Sequence, residues 1–141
     1  LMHAIKIGGF DLEKYRPNLE KAFYHALDHG IDWEHGGVFV EGSHTGEATD
    51  LEKEFWQQAE ILIGMLDAYK LTKDERFLEA HKQVHRFVFD KMINRNTGEW
   101  WPLMTREGEP IWRHMAHNWK INYHNVRSMI LSYEKLGEFN V

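Results

Sequence analysis

The chain of 141 residues repeats itself, and this constrains its fold more than any other feature. Adding 64 to a position in the apolar stretch 53–71 lands in the stretch 119–136. Phe55 falls on Trp119, Glu60 on His124, Leu62 on Val126, Met65 on Met129, Ala68 on Ser132 and Tyr69 on Tyr133. Subtracting 64 carries Ala68-Tyr69-Lys70-Leu71 onto Ala4-Ile5-Lys6-Ile7. The glycine-marked turns follow at 61 or 62, Gly37 with Gly98 and Gly46-Glu47 with Gly108-Glu109. A period of this length marks stacked supersecondary units, none of which buries its apolar faces alone.

The unit reads as helix, short hairpin, helix, of about 60–65 residues. Three-four spacing of apolar residues predicts helices over 11–29, 53–71, 73–92 and 119–136. Strand-and-turn segments are expected over 36–47 and 99–110, where glycine punctuates short apolar runs. Asp50 is the expected cap of the second of these helices and Gly137 the stop of the last. Residues 1–8 carry no capping residue in front and end at Gly8-Gly9, so they read as the tail of a preceding inner helix. The fold class is all-α with short β-hairpins in the long loops. Residues 1–141 are expected to form the C-terminal part of one helical domain. Residues 1–8 are its entering tail, and 11–71 and 73–137 its two helix–hairpin–helix units. The other reading is an independent four-helix domain.

Charge and composition exclude several classes. The formal charge is −5, with 17 basic and 22 acidic residues interspersed, which speaks against nucleic acid as a partner. No stretch is long and apolar enough to suggest a membrane span or a signal peptide. Cysteine is absent, which removes any disulfide framework or thiolate metal site and fits a cytoplasmic protein. His81 and His85 have metal-ligand spacing but no third ligand, and are expected to be solvated on an outer helix. No phosphate-cradling glycine pattern is present, and no cofactor is expected.

The aromatic residues carry the functional signal. There are six tryptophans and ten histidines. Trp56 and Glu60 are four apart and share a helical face, as do Trp119 and Tyr123, with His124 alongside. The repeat puts Glu60 and His124 at equivalent points of adjacent inner helices. One carboxylate, one imidazole and two indoles between apolar walls suit a sugar, because an indole face stacks on a pyranose while a few polar groups fix its hydroxyls.

Glu54-Phe55-Trp56-Gln57-Gln58-Ala59-Glu60, with Ala68-Tyr69-Lys70-Leu71-Thr72 and Asp74-Glu75-Arg76-Phe77-Leu78, resembles the N-acylglucosamine 2-epimerase and cellobiose 2-epimerase superfamily. So do Gly98-Glu99-Trp100, Trp119-Lys120, Tyr123-His124-Asn125 and Arg127. The resemblance implies an (α/α)6 barrel, of which this chain would be about a third, the missing N-terminal part completing it. It implies C2 epimerisation of an aldose, or of a reducing-end glucose or N-acylglucosamine, or else interconversion of aldose and ketose forms, through an enediolate with two histidines and no redox cofactor. By motif, His124 is then one catalytic histidine and Glu60 the carboxylate that binds substrate or orients a histidine. Trp56 and Trp119 are the stacking residues, and Arg127 either anchors a hydroxyl or pairs with Glu60. The partner histidine belongs to a Gly-His-x-Ile-Glu motif that this sequence lacks, so these residues alone are expected to be inactive. Two rivals are a barrel glycan hydrolase or lyase, which needs two acids across the scissile bond, and a helical-repeat binding module without chemistry.

Overall fold

A computed structural model describes residues 2–139, so Leu1, the first residue of the expected tail, and Asn140 and Val141 lie outside the described residues. The helices are α1 (Met2–Ile7), α2 (Leu12–His25), α3 (Phe55–Thr72), α4 (Arg76–Phe87) and α5 (Tyr123–Phe139). Both α2 and α4 run on into a π-helical turn, Ala26–Gly30 and Val88–Met92. This pairing is the repeat in physical form. Each turn leads to an isolated antiparallel bridge, Ile31 to Val38 and Ile93 to Trp100.

The centre of the molecule is α3, which packs on α4 along one side and α5 along another. Its Phe55, Ala59, Leu62, Met65 and Ala68 join Phe77, Ala80, Val84, Phe87 and Val88 in one core cluster. Ile5, Leu19 and Leu71 form a second cluster where α1, α2 and α3 meet. A short α1 ends before Gly8-Gly9, as expected, and α2 is capped by Asp11, whose carboxylate accepts from the Glu13 N–H at 3.0 Å.

The long loops hold two small antiparallel sheets. Strand β1 (Glu41–Gly42) pairs with β2 (Ala48–Asp50), and β3 (Lys53–Glu54) pairs with β4 (Leu103–Met104). The second pairing joins segments some fifty residues apart and corrects the expected helix start. Asp50 accepts from the Glu52 N–H at 2.9 Å instead of capping a helix, because Lys53 and Glu54 are taken up as a strand. Strand structure also begins later than the expected 36–41. There Gly36 and Gly37 turn the chain at φ +82° and +78°. A side chain at Gly37 would collide with the Gln58 amide and the Phe87 ring, whose atoms lie 2.8 and 3.1 Å from where a Cβ would sit. That close approach lets Gln58 grip Val38 at both its N–H and its C=O, each at 2.8 Å.

Beneath this loop lies a buried ion cluster. Lys53, with a fully buried side chain, donates to Asp32 at 3.0 Å, and Arg106 donates to the same carboxylate at 2.8 and 3.0 Å. The Lys53 ammonium also sits 4.1 Å from the centre of the Phe39 ring. Burial pushes Lys53 down to about 8, against the pull of Asp32. Burial alone would raise Asp32, but Arg106 and Lys53 outweigh it and hold the carboxyl far below its usual range.

His81 corrects another expectation. It is buried, not solvated, and its Nδ1–H donates to the Leu62 carbonyl at 3.0 Å. His85 is the exposed member of the pair, stacked on Phe89 at 4.2 Å. Burial lowers the His81 pKa. The unfolded chain therefore binds a proton that the folded chain resists, and stability falls as pH drops below the unfolded value near 6.5. Urea unfolding between about pH 7.5 and pH 5 is expected to show this loss, and His81→Gln is expected to flatten it.

The last helix starts and ends later than expected. Residues 117–120 form a turn, with the Lys120 N–H donating to the His117 carbonyl at 3.0 Å, so α5 begins at Tyr123 and Trp119 precedes it. The helix passes through Gly137 to Phe139, whose ring meets Tyr69 at 5.1 Å. It packs its small and polar side on α3, burying Asn125, Ser128 and Ser132. Val126, Ile130 and Tyr133 are more than half exposed, although their repeat counterparts in α3 include the fully buried Leu62 and Leu66. Among the described residues no helix is long and apolar enough to cross a membrane.

Candidate active site

Four of the five candidate residues, Trp56, Glu60, His124 and Arg127, are placed by the first turns of α3 or α5. Phe55 opens α3 and is buried, which turns Trp56 outward at the mouth and sets Glu60 one turn deeper. On α5, Asn125 and Ser128 face α3 and so fix the rotation of the helix. That rotation brings His124 over the edge of α3, with its ring 6.2 Å from Phe55 and 6.1 Å from Trp56.

The Glu60 carboxylate and the His124 ring meet there, Oε1 to Nδ1 at 2.6 Å. A carboxylate only accepts, so in the neutral imidazole Nδ1 carries the proton and Nε2 is the free basic nitrogen. Arg127, one turn further on, donates to the same Glu60 oxygen. Its guanidinium also lies 5.4 Å from the Tyr123 ring centre. Of the two roles open to Arg127, the structure shows the pairing with Glu60. The His124 side chain is 17% exposed and that of Glu60 38%, so each keeps an edge in contact with solvent.

The structure therefore brings together four of the five candidates: His124, Glu60, Trp56 and Arg127. Trp119 differs. It lies outside the helix, shares no helical face with Tyr123, and is 86% exposed. Its backbone N–H donates to the His117 ring at 3.3 Å.

Sequence reasoning missed the network under His124. The buried Lys120 donates to Glu99 at 2.9 Å and to the Met115 carbonyl at 3.0 Å. The same Glu99 oxygen accepts from the Asn125 amide at 2.9 Å and from the Trp100 N–H at 2.8 Å. Burial alone would raise Glu99, but these donors, Lys120 first, hold it below the usual carboxylate range. A visible cue was that Glu99 and Lys120 are separated by 21 residues, as are Asp32 and Lys53.

No set of three or more His, Asp or Glu side chains placed to hold a metal occurs among the described residues. A cavity of about 570 Å³ lies at the far end of α3 from Glu60, lined by Ile5, Lys6, Phe10, Leu71, Lys135 and Glu138 among others, and includes none of the candidate residues.

Comparison with known proteins decides the family. The family model for N-acylglucosamine 2-epimerase matches residues 9–128. The chain belongs to the N-acylglucosamine 2-epimerase family. It is 28% identical over 120 residues to a cellobiose 2-epimerase of Eubacterium cellulosolvens, a match covering 84% of this chain and 27% of that protein. It is 28% identical over 141 residues to the N-acylglucosamine 2-epimerase of Bos taurus, covering 97% of this chain and 33% of the relative. The structure of a cellobiose 2-epimerase from Bacillus thermoamylovorans B4167 superposes with a TM-score of 0.80 at 30% identity, over 92% of this chain and 33% of that one. The chain thus spans 27% to 33% of the length of these relatives.

Proposed function

We propose that this chain forms part of a sugar 2-epimerase site in which His124 moves the proton at C2. The chain would supply about a third of an (α/α)6 barrel: 1–8 an entering tail, and 11–71 and 73–137 two successive units. The exposed Val126, Ile130 and Tyr133 stripe suits a helix that meets a further neighbour in a closed ring.

The observation that carries the reading is the Glu60–His124 hydrogen bond across the mouths of α3 and α5. With Nδ1 committed to Glu60, Nε2 removes the proton on the carbon next to the sugar carbonyl. The electron pair of the C–H bond moves into the carbonyl and gives an enediolate. Return of a proton to the opposite face of C2 inverts that centre, and the resemblance assigns that step to a second histidine outside the motifs found here. Glu60 orients His124 and stabilises the imidazolium that forms, the role a carboxylate plays behind other catalytic histidines. Trp56 and Trp119 stack on the sugar, and Arg127 holds Glu60 in place. The substrate is an aldose with a glucose-type or N-acylglucosamine-type reducing end, and no cofactor takes part.

The test is incorporation of deuterium at C2 from deuterated buffer by the full-length protein, followed by NMR. Label appearing in both C2 epimers supports the proposal, and epimerisation or turnover without label overturns it. Trp119→Ala is expected to raise KM about threefold to tenfold with little change in kcat. Aromatic stacking of this kind contributes about 0.5–1.5 kcal/mol, and 1.4 kcal/mol is a factor of about ten.

A further inference from the structure

Lys53 and Lys120 are the two buried lysines among the described residues. Both side chains are fully buried, and each is paired with a carboxylate from a preceding loop, Asp32 at 3.0 Å and Glu99 at 2.9 Å. Both sit at the same place relative to the proposed site. Lys53 lies two residues before the start of α3, the helix of Trp56 and Glu60, and Lys120 three residues before the start of α5, the helix of His124. Each ammonium also rests near an aromatic ring, Phe39 at 4.1 Å and Phe55 at 5.2 Å.

A buried ion pair is a poor way to gain stability, since apolar residues of similar volume do as well or better. What it supplies is a directional, single-valued geometry. Each carboxylate here uses that geometry to tie several segments together. Asp32 accepts from the Glu34 and His35 N–H groups and from Arg106 of the second hairpin, while Lys53 lies in β3, which runs directly into α3. Glu99 accepts from Lys120, the Trp100 N–H and the amide of Asn125, the residue after His124. The Phe55 ring under Lys120 is itself 6.2 Å from the His124 ring.

We propose that the Lys53–Asp32 and Lys120–Glu99 pairs are positioning pairs, which fix the starts of α3 and α5 and so hold Glu60 and His124 in hydrogen-bonding register. The pairs act through Trp56, Glu60 and His124 and take no part in proton transfer. This rests on the proposed roles of Glu60 and His124. Its primary readout, however, is the hydrogen bond itself and not turnover.

The experiment uses the full-length protein carrying Glu99→Leu and Lys120→Leu together, a change that strands no buried charge. Nitrogen-15 NMR of the His124 ring reports which nitrogen holds the proton and whether it is hydrogen-bonded. The expected result is loss of the Nδ1-protonated, hydrogen-bonded signature at His124 in a folded protein. Where C2 exchange is measurable, kcat is expected to fall roughly 10–100-fold with KM within about twofold, the cost of a misplaced catalytic group. Asn125→Leu breaks only the link from Glu99 to α5 and decides the matter if the paired variant does not fold, with the same signature expected to weaken. An unchanged His124 spectrum in a folded variant overturns the proposal, whatever happens to activity. A lost signature in a protein whose parent shows no C2 exchange supports the positioning role and counts instead against the epimerase reading.

Discussion

His124→Ala in the full-length protein is expected to lower C2 proton exchange and epimerisation about 10²–10⁴-fold, the contribution of a positioned general acid or base. The side chain sits at the mouth of α5 and belongs to neither apolar core cluster, so the melting temperature is expected to change far less than the activity. That contrast separates loss of a reacting group from loss of fold. Glu60→Gln is the informative companion. Glutamine fills the same space, but its amide nitrogen donates where the carboxylate could only accept, and it no longer balances the Arg127 charge. Activity is expected to fall by less than for His124→Ala, about 10–100-fold, because the imidazole remains but its tautomer is no longer fixed. Equal activity in wild type and His124→Ala, measured by deuterium incorporation, would remove His124 from the chemistry.

The second large effect is on stability. Lys53→Met is expected to destabilise the fold by about 3–5 kcal/mol, because it leaves Asp32 buried with one cationic partner fewer. Asp32 is 1% exposed, so water does not replace the lost ammonium, and Arg106 is tied also to Glu34. Asp32→Asn combined with Lys53→Met is expected to recover part of that loss, since it neutralises the buried carboxylate along with its ammonium partner while Arg106 keeps Glu34. Equilibrium urea unfolding checks both. The pH dependence has a defined sign. The folded-state pKa of Asp32 lies below its unfolded value, so its stabilisation is present above the unfolded value near 3.9 and lost as pH falls through the acid range below it. Loss of the difference between wild type and Asp32→Asn under acid conditions is the expected result.

Much of the architecture was legible in the residues. Three-four spacing found the bodies of α2, α3 and α4, since amphipathic periodicity is local and each helix buries the stripe it displays. The repeat put Glu60 and His124 on neighbouring helices, and they meet at 2.6 Å. The expected helix start at Trp119 fails for a non-local reason. Nothing around it forbids a helix, but Lys120 is drawn under the loop to Glu99, which holds residues 117–120 in a turn and leaves Trp119 outside α5. Asp50 fails likewise, because β3 is claimed by β4 some fifty residues away. His81 was misplaced because an imidazole carries no local sign of the Leu62 carbonyl that buries it.

By itself the sequence determined which stretches become helices, that they come in repeated units, and which carboxylate and imidazole occupy matching positions. These are matters of period and register, written into neighbouring residues. The tertiary structure alone decided where α3 and α5 begin, which histidine of the α4 pair is buried, and that each site helix starts beside a buried lysine paired with a distant acid. Those outcomes depend on charges and strands brought together from residues 21 to 51 positions apart, and chain entropy lets no local pattern announce such a meeting before the core has formed.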